Sequence, residues 1–523
     1  MSNYSWNLSV GALILAKPEL NLMEYMTEPQ HQVPILHDVD VAVAGGGAAG
    51  VAAAVAAARQ GARTVLIEKF GSVGGCMSTG GWAAGAIDLA PLDPCKFPIG
   101  PDEDKNSAPS SHWVSTLTKE PVAAAVREHV RGCGLAGEWM ARLLDMIEAL
   151  GPSPNFACQS NRAGYLCNQM LEEAGVVQML QTTAAEPIID GDNVVHGLYV
   201  ETVSGRHAVK ARVTIDATAN AALANRAGAP LVPCNREPSL NISVGIGNVD
   251  DRRFADFVAS RLEVPETFNQ WIEEVLIADV DYVAGRLGAH INRIRPVADL
   301  VRQAWEEDGY QAIGWIGNVG RIALVFPWQT KAPRNGMWWE RADIDGDVDT
   351  LDAAHMTLLE RDTRKYVFDT VLFLRKYFPG FENAYLMYLS PYIGMRGGRA
   401  IEAEYIVTHQ DLIDGRRHDD VIHQTYDLRT AKNFTDIPYR QLLPKRVEGL
   451  LVAGVAAHQK PPNLRGRENV LTMGQAAGIA AALCARQDVH PRDVDVKQVQ
   501  RVLCDSGVVL GSAERVEQLL DSQ

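Results

Sequence analysis

One stretch, residues 39–81, limits what this chain can fold into: VDVAVAGGGAAGVAAAVAAARQGARTVLIEKFGSVGGCMSTGG. Residues 39–44 are a short, mostly apolar, β-branched run of the kind that makes a buried strand. Gly45, Gly47 and Gly50 then supply G-x-G-x-x-G. In that spacing the first glycine permits a tight turn, the second lets backbone approach a pyrophosphate, and the third lets a helix pack closely on its strand. Residues 51–60 are almost all Ala and Val, suited to a helix lying flat on a sheet. Its N-terminus offers backbone N–H groups and a positive dipole end to a phosphate. Gly61 stops the helix, residues 64–67 make a second strand, and Glu68 stands at its end. A carboxylate there accepts hydrogen bonds from both hydroxyls of an adenosine ribose. The order of these elements predicts a dinucleotide site, with Ala48 and Ala49 in the turn and Lys69 beyond the acid among its contacts.

The rest of the chain is read around that unit. At 523 residues it is too long for one simple core and predicts two intertwined domains. Residues 1–37 form an N-terminal extension. Residues 38–232 form the first part of a nucleotide-binding domain, with a lid-like loop at 85–115 and helices within 120–150. A helix at 161–174 ends at Gly175, and a parallel strand returns at 176–182. Hairpin turns at 190–191 and 204–205 separate strand-like runs 194–203 and 207–218. Residues 233–440, richer in Trp, Tyr, Arg and Pro, read as a substrate domain with a strand at 239–244 and helices at 252–261, 268–287 and 351–378. The acidic run 343–349 lacks the spacing of a calcium loop and reads as a turn with an N-cap for the following helix. Residues 441–490 return to the first domain, with a strand at 449–453, a turn at Gly454 and a helix at 472–485 preceded by Asn469 and Val470. Residues 491–523 are a helical tail.

Charge and cysteine content narrow the partners. A net charge of −15 argues against nucleic acid or an anionic membrane, both of which need a basic footprint. No run reaches the roughly eighteen apolar residues of a membrane span. Eight cysteines without a C-x-x-C pair signal no metal site and read as reduced thiols of a cytoplasmic protein.

Beyond Glu68, the pair Gly74-Gly75 makes a second tight turn, followed by Cys76 and small residues. Acid, short spacer, Gly-Gly and small-residue run resemble flavoproteins of the glutathione-reductase type, in which FAD lies extended towards the substrate domain. The disulfide reductases of that group carry two cysteines after the pair, whereas this chain has only Cys76. Residues 215–230 (IDATANAALANRAGAP), 379–385, 394–404 (GMRGGRAIEAE), 411–420 (DLIDGRRHDD) and 449–482 extend the likeness. Together with residues 45–75 they resemble the bacterial FAD-dependent oxidoreductase family distantly related to fumarate reductases, over residues 38–490. The resemblance implies an α/β chain, a glutathione-reductase-type Rossmann FAD-binding domain with an inserted α+β substrate domain. It implies FAD as cofactor, held also by Ala217, Thr218, Gly454, Asn469 and Val470. Ala219 stands where the family's D-A-T-G has its glycine. Within residues 395–399, Arg396 and Arg399 match the family's arginine-rich run while Gly397 and Gly398 depart from it.

No second G-x-G-x-x-G follows a strand after residue 81, so no built-in NAD(P)H domain is expected. Electrons are expected from a small organic substrate by hydride transfer to flavin N5, leaving to oxygen, a quinone or a carrier. The alternative is a flavin-dependent lyase, hydratase or isomerase without net redox turnover. His458 is the candidate base, against a solvent-exposed loop histidine. Arg396 and Arg399 are candidate anchors for an anionic group, against structural ion pairs with Glu402 or Glu404. Tyr392 is a lesser candidate with core packing as its default. Cys76 reads as a packing residue beside the cofactor. A homo-oligomer is possible.

Overall fold

The computed structural model describes residues 26–78, 133–150, 156–233, 240–259, 297–317, 319–324, 336, 338–346, 348–395, 397–426, 434–457, 464 and 466–521. The lid-like loop 85–115, the helix expected at 268–287, Arg396 and His458 lie outside them.

The chain begins with β1 (Ile35–Ala44), α1 (Ala48–Arg59) and β2 (Thr64–Ile67). Then come α2 (Gly134–Leu150), α3 (Phe156–Glu173) and β3 (Val177–Met179). A meander follows, β4 (Thr183–Ile189), β5 (Val195–Thr202) and β6 (Gly205–Asp216), and then α4 (Ala222–Arg226) and β7 (Leu231–Pro233). The second unit holds β8 (Leu240–Gly247), α5 (Asp251–Ala259), α6 (Ala298–Asp308), β9 (Ile313–Ile316), β10 (Gly320–Leu324), β11 (Trp338–Gly346), α7 (Ala353–Tyr377), β12 (Tyr385–Leu389) and β13 (Gly394–Met395). The chain returns through β14 (Arg399–Ile401), α8 (His409–Asp414), β15 (Val421–Tyr426), β16 (Phe434–Pro438), β17 (Leu450–Val452) and α9 (Arg467–Gln487). It ends in α10 (Val496–Asp505) and α11 (Ala513–Asp521). Among the described residues no helix is long and apolar enough to cross a membrane.

The first sheet is ordered β3-β2-β1-β6-β5-β4, with β17 also on β6. The two halves of β6 serve different partners. Residues 205–210 pair antiparallel with β5, and residues 214–216 pair parallel with β17. The carboxyl ends of β1, β2, β6 and β17 therefore meet at one edge, where ligands of parallel α/β sheets bind. Helix α1 packs both on this sheet and against α9, which itself also touches β1 and β6, and Ala49 to Ala57 are all buried. Its small side chains let α9 come unusually near. A Cβ at Gly474 would sit 2.2 Å from the Ala49 carbonyl oxygen, and one at Gly478 would sit 2.1 Å from that of Ala53. Glycine one turn apart on α9 is thus a condition of this packing.

The second sheet is ordered β12-β8-β11-β10-β9, with β13 also on β8. It packs its own core of Leu240, Ile242, Val244 and Ile344 with Leu359, Val367, Phe373 and Leu374 of α7. Asp352 caps α7, accepting from the backbone N–H groups of Ala354 and His355, a contact worth about 1 kcal/mol. Past residue 399 the chain rejoins the first core, which includes Ile401, Ala403, Val407, Ile422 and Ile437. The two crossings between units run side by side, since β14 pairs antiparallel with β7, Arg399 opposite Pro233.

Three expectations change. The acidic run 343–349 is not a turn throughout: to Gly346 it belongs to β11, and Asp343 and Asp345 are buried. Polar residues alternating with Ala342 and Ile344 fit a strand with one face in the core. Helix α9 begins at Arg467, five residues before the expected start, directly after Gly466 and with no side-chain cap to announce it. The strands β9 and β10 and helix α6 were not expected at all.

Candidate functional site

A cavity of about 520 Å³ opens where the parallel strands of the first sheet end. Gly45, Gly47, Ala48 and Ala49 line it after β1, Glu68 and Lys69 after β2, Ala217 and Thr218 after β6, and Gly454 after β17. Gly45 has φ +105° and its Cβ position lies 2.5 Å from the Ala217 carbonyl oxygen, so no side chain fits there. A Cβ at Gly47, by contrast, would meet no protein atom within 4 Å. The turn holds its backbone bare towards the cavity. Glu68 is buried, with Oε2 accepting from the Gly46 N–H at 2.6 Å and Oε1 from the Phe70 N–H at 2.9 Å. Burial pushes its carboxyl above the usual range, and the N–H bonds and Lys69 offset only part of that.

Asp216 shapes the next stretch. It is fully buried, accepting from the Thr218 N–H at 2.9 Å, the Thr218 hydroxyl at 2.6 Å and the Ala224 N–H at 2.8 Å. Burial raises its pKa despite these donors. The turn it holds presents Ala217, Thr218, Ala219 and Asn220 to the cavity, with Ala219 in the left-handed region at φ +70°.

The opposite wall comes from the second unit: Asn241 of β8, Arg341 of β11, Thr350 ahead of α7, Met356 and Glu360 within α7, and Tyr392, Ile393 and Met395. Tyr392 stacks on Phe70, ring centroids 3.6 Å apart and 4° from parallel, joining the two walls. Three segments meet at Cys76. Its thiol lies 3.5 Å from the Met395 carbonyl oxygen, and its own carbonyl accepts from Arg467 at 3.3 Å. Arg467 and Val470, in the first turn of α9, line the cavity beside them.

Residues 40–503 match the family model described as FAD dependent oxidoreductase. The chain belongs to that family. It is a flavoenzyme, an oxidoreductase whose cofactor is FAD, on an α/β fold with a Rossmann-type FAD-binding sheet. No curated protein matches it in sequence. Solved structures similar to it include the following three. A geranylgeranyl bacteriochlorophyll reductase-like protein from Thermoplasma acidophilum is 13% identical, with 93% of this chain and 92% of that one covered and a TM-score of 0.37. The p-nitrophenol 4-monooxygenase from Pseudomonas putida is 12% identical, covering 93% and 91%, TM-score 0.36. The 3-ketosteroid-Δ4-(5α)-dehydrogenase from Rhodococcus jostii is 14% identical, covering 86% and 97%, TM-score 0.34.

The cavity fits FAD on its own geometry: bare backbone at Gly47, the N-terminus of α1 behind it, and a carboxylate at the end of β2. Of the flavoenzyme's expected cofactor contacts, Gly45, Gly47, Ala48, Ala49, Glu68, Lys69, Gly75, Cys76, Ala217, Thr218, Gly454 and Val470 line the cavity. Gly50, Gly74 and Asn469 do not. Gly50 sits under the turn, where a Cβ would lie 1.8 Å from the Gly45 carbonyl oxygen. Gly74 donates its N–H to the Gly46 carbonyl at 2.7 Å. Asn469 is buried and donates to the Thr425 hydroxyl at 3.1 Å. Arg399 lies off the cavity and pairs with Asp349 at 2.8 Å. Glu402 and Glu404 pair instead with Lys445 and Arg492. Asn241, Arg341 and Thr350 were missed. The alternation in residues 240–244 and 341–345 was the signal available for the first two.

Proposed function

We propose that this flavoenzyme oxidises a small organic molecule held between its two units. The substrate gives a hydride to flavin N5, and the electrons leave to oxygen, a quinone or a carrier protein. The observation that carries this reading is the continuity of the cavity, from Glu68 and the Gly45 turn to Asn241, Arg341 and Tyr392. FAD, when bound, supplies the two-electron acceptor. In this reading Glu68 takes the adenosine ribose hydroxyls, and the N-terminus of α1 takes the pyrophosphate. The N-terminus of α9 favours negative charge on the reduced ring. His458 takes a proton from a substrate C–OH or C–NH, and Arg396 holds a polar substrate group. Arg399, engaged by Asp349, fastens the returning chain rather than the substrate, and Tyr392 closes the wall with Phe70. Residues 240–395 serve as the substrate unit. Cys76, Cys133, Cys167, Cys484 and Cys504 stand outside any disulfide, which suits a cytoplasmic enzyme.

The test is an anaerobic screen of alcohols, amines and carboxylates for bleaching of the bound flavin. At least one class should bleach it stoichiometrically. A flavin that stays oxidised while the protein adds water to, or isomerises, a substrate would replace this reading with non-redox chemistry.

A further inference from the structure

One face of the second sheet is polar and yet buried. In β8, Leu240, Ile242 and Val244 enter the second core, while Asn241 and Ser243 lie on the other face. β11 pairs antiparallel with it, Asp343 opposite Asn241 and Arg341 opposite Ser243. With a side-chain period of two, these four residues share that face. Asn241 and Thr350 are each only 4% exposed, and both line the cavity. Among the described residues, Asn241 Oδ1 and Thr350 Oγ1 have no hydrogen-bond partner. Buried polar atoms are rarely left so, because the desolvation cost goes unreturned. Two in one cavity wall mark where a ligand's polar groups belong.

Arg341 lines the same wall. Its Nε donates to the buried Asp343 carboxylate at 2.7 Å, which fixes the plane of the guanidinium. Arg341 and Asn241 are diagonal neighbours across the two strands, about 7–8 Å apart at the backbone. A guanidinium carries five N–H donors in a planar fork, and a ligand carboxylate set beside that of Asp343 matches this geometry. An amide oxygen calls for a donor. We propose that this face recognises the substrate and takes a short 2-hydroxycarboxylate. Its carboxylate lies on Arg341, its hydroxyl donates to Asn241 Oδ1, and Thr350 adds a hydroxyl contact. The proposal rests on the reading of the cavity as a joint FAD and substrate site, and it names the class of that substrate.

The test titrates lactate, 2-hydroxybutyrate and mandelate into the holoenzyme under anaerobic conditions, each beside its primary amide. Binding is read by thermal shift and by the flavin spectrum. The hydroxycarboxylates raise the melting temperature and perturb the spectrum. The amides, lacking the charge, bind roughly tenfold more weakly or worse. Arg341→Gln weakens lactate about thirtyfold and leaves the affinity for lactamide unchanged. Because Arg341→Gln also strips Asp343 of this charge partner, Asn241→Leu is the second variant. It removes the unpartnered amide oxygen, so it melts at or above the wild-type temperature while binding lactate roughly tenfold more weakly. A merely structural Asn241 gives the reverse, a lower melting temperature and unchanged affinity. Absence of any shift by all three hydroxycarboxylates at millimolar concentration overturns the proposal, as does wild-type lactate affinity in both variants. Lactate that stabilises the flavin-loaded protein without bleaching the flavin keeps the substrate site and removes the hydride-transfer reading. Flavin-loaded protein indifferent to every hydroxycarboxylate does the opposite.

Discussion

Single residues in the cofactor turn carry opposite demands. A side chain at Gly47 meets no protein atom within 4 Å, yet it projects into the cavity. Gly47→Val should therefore fold but purify nearly colourless; a flavin-to-protein absorbance ratio equal to wild type would refute the cofactor placement. Ala219 is the converse case, a side chain where the backbone wants none. It holds φ +70°, which costs an L-residue about 1–2 kcal/mol. Less the roughly 0.4–1 kcal/mol of unfolded-chain entropy that glycine restores, Ala219→Gly should stabilise the fold by about 0.5–1 kcal/mol in urea unfolding. Ala219 thus holds, where the family's D-A-T-G has its glycine, a backbone conformation that glycine favours. His423 sets the acid limit. Burial holds its imidazole down to about 4, against an unfolded value near 6.5. The unfolded chain takes its proton first, so this contribution is whole above about pH 6.5 and is lost as pH falls to about 4. The loss is roughly 3 kcal/mol at 1.36 kcal/mol per unit. Unfolding free energies measured across that window should slope less in His423→Gln.

At the scale of elements, α1 and α9 fit closely. Gly474→Ala places its Cβ on the Ala49 carbonyl, a backbone atom that cannot turn aside. The helices must part, at a cost of about 1–3 kcal/mol. Because Ala49 lines the cavity, the variant should lose both melting temperature and FAD affinity; loss of neither would mean that α9 packs elsewhere. β1, α1 and β2 were legible in the sequence because their spacing is rigid and their apolar runs unbroken. The start of α9 was not. Arg467, Glu468 and Asn469 look like loop, yet Glu468 and Asn469 are buried. β11 was hidden by its acidity, since Asp343 and Asp345 suggest a turn while their alternation with Ala342 and Ile344 builds a strand. Asp349, the partner of Arg399, stands fifty residues away, a pairing that local charge patterns do not reveal.

For the whole molecule, the sequence carries one nucleotide fingerprint and no second. NADH and NADPH should therefore be poor reductants, and rapid stoichiometric bleaching of the flavin by micromolar NADPH would expose a site not recognised in the chain. Length leads to an expectation of two domains, but the place where the two cores join is not legible, because it depends on β7 and β14 meeting across more than 160 residues of chain. That join has a mechanical meaning. Both strands leading into and out of the second unit lie in one narrow ribbon, like the pin of a door. The two units also touch across the cavity, Tyr392 on Phe70. A molecule bound to both walls is held by two cores at once, so whatever strengthens its hold on the second unit should also tighten the first unit's grip on its cofactor.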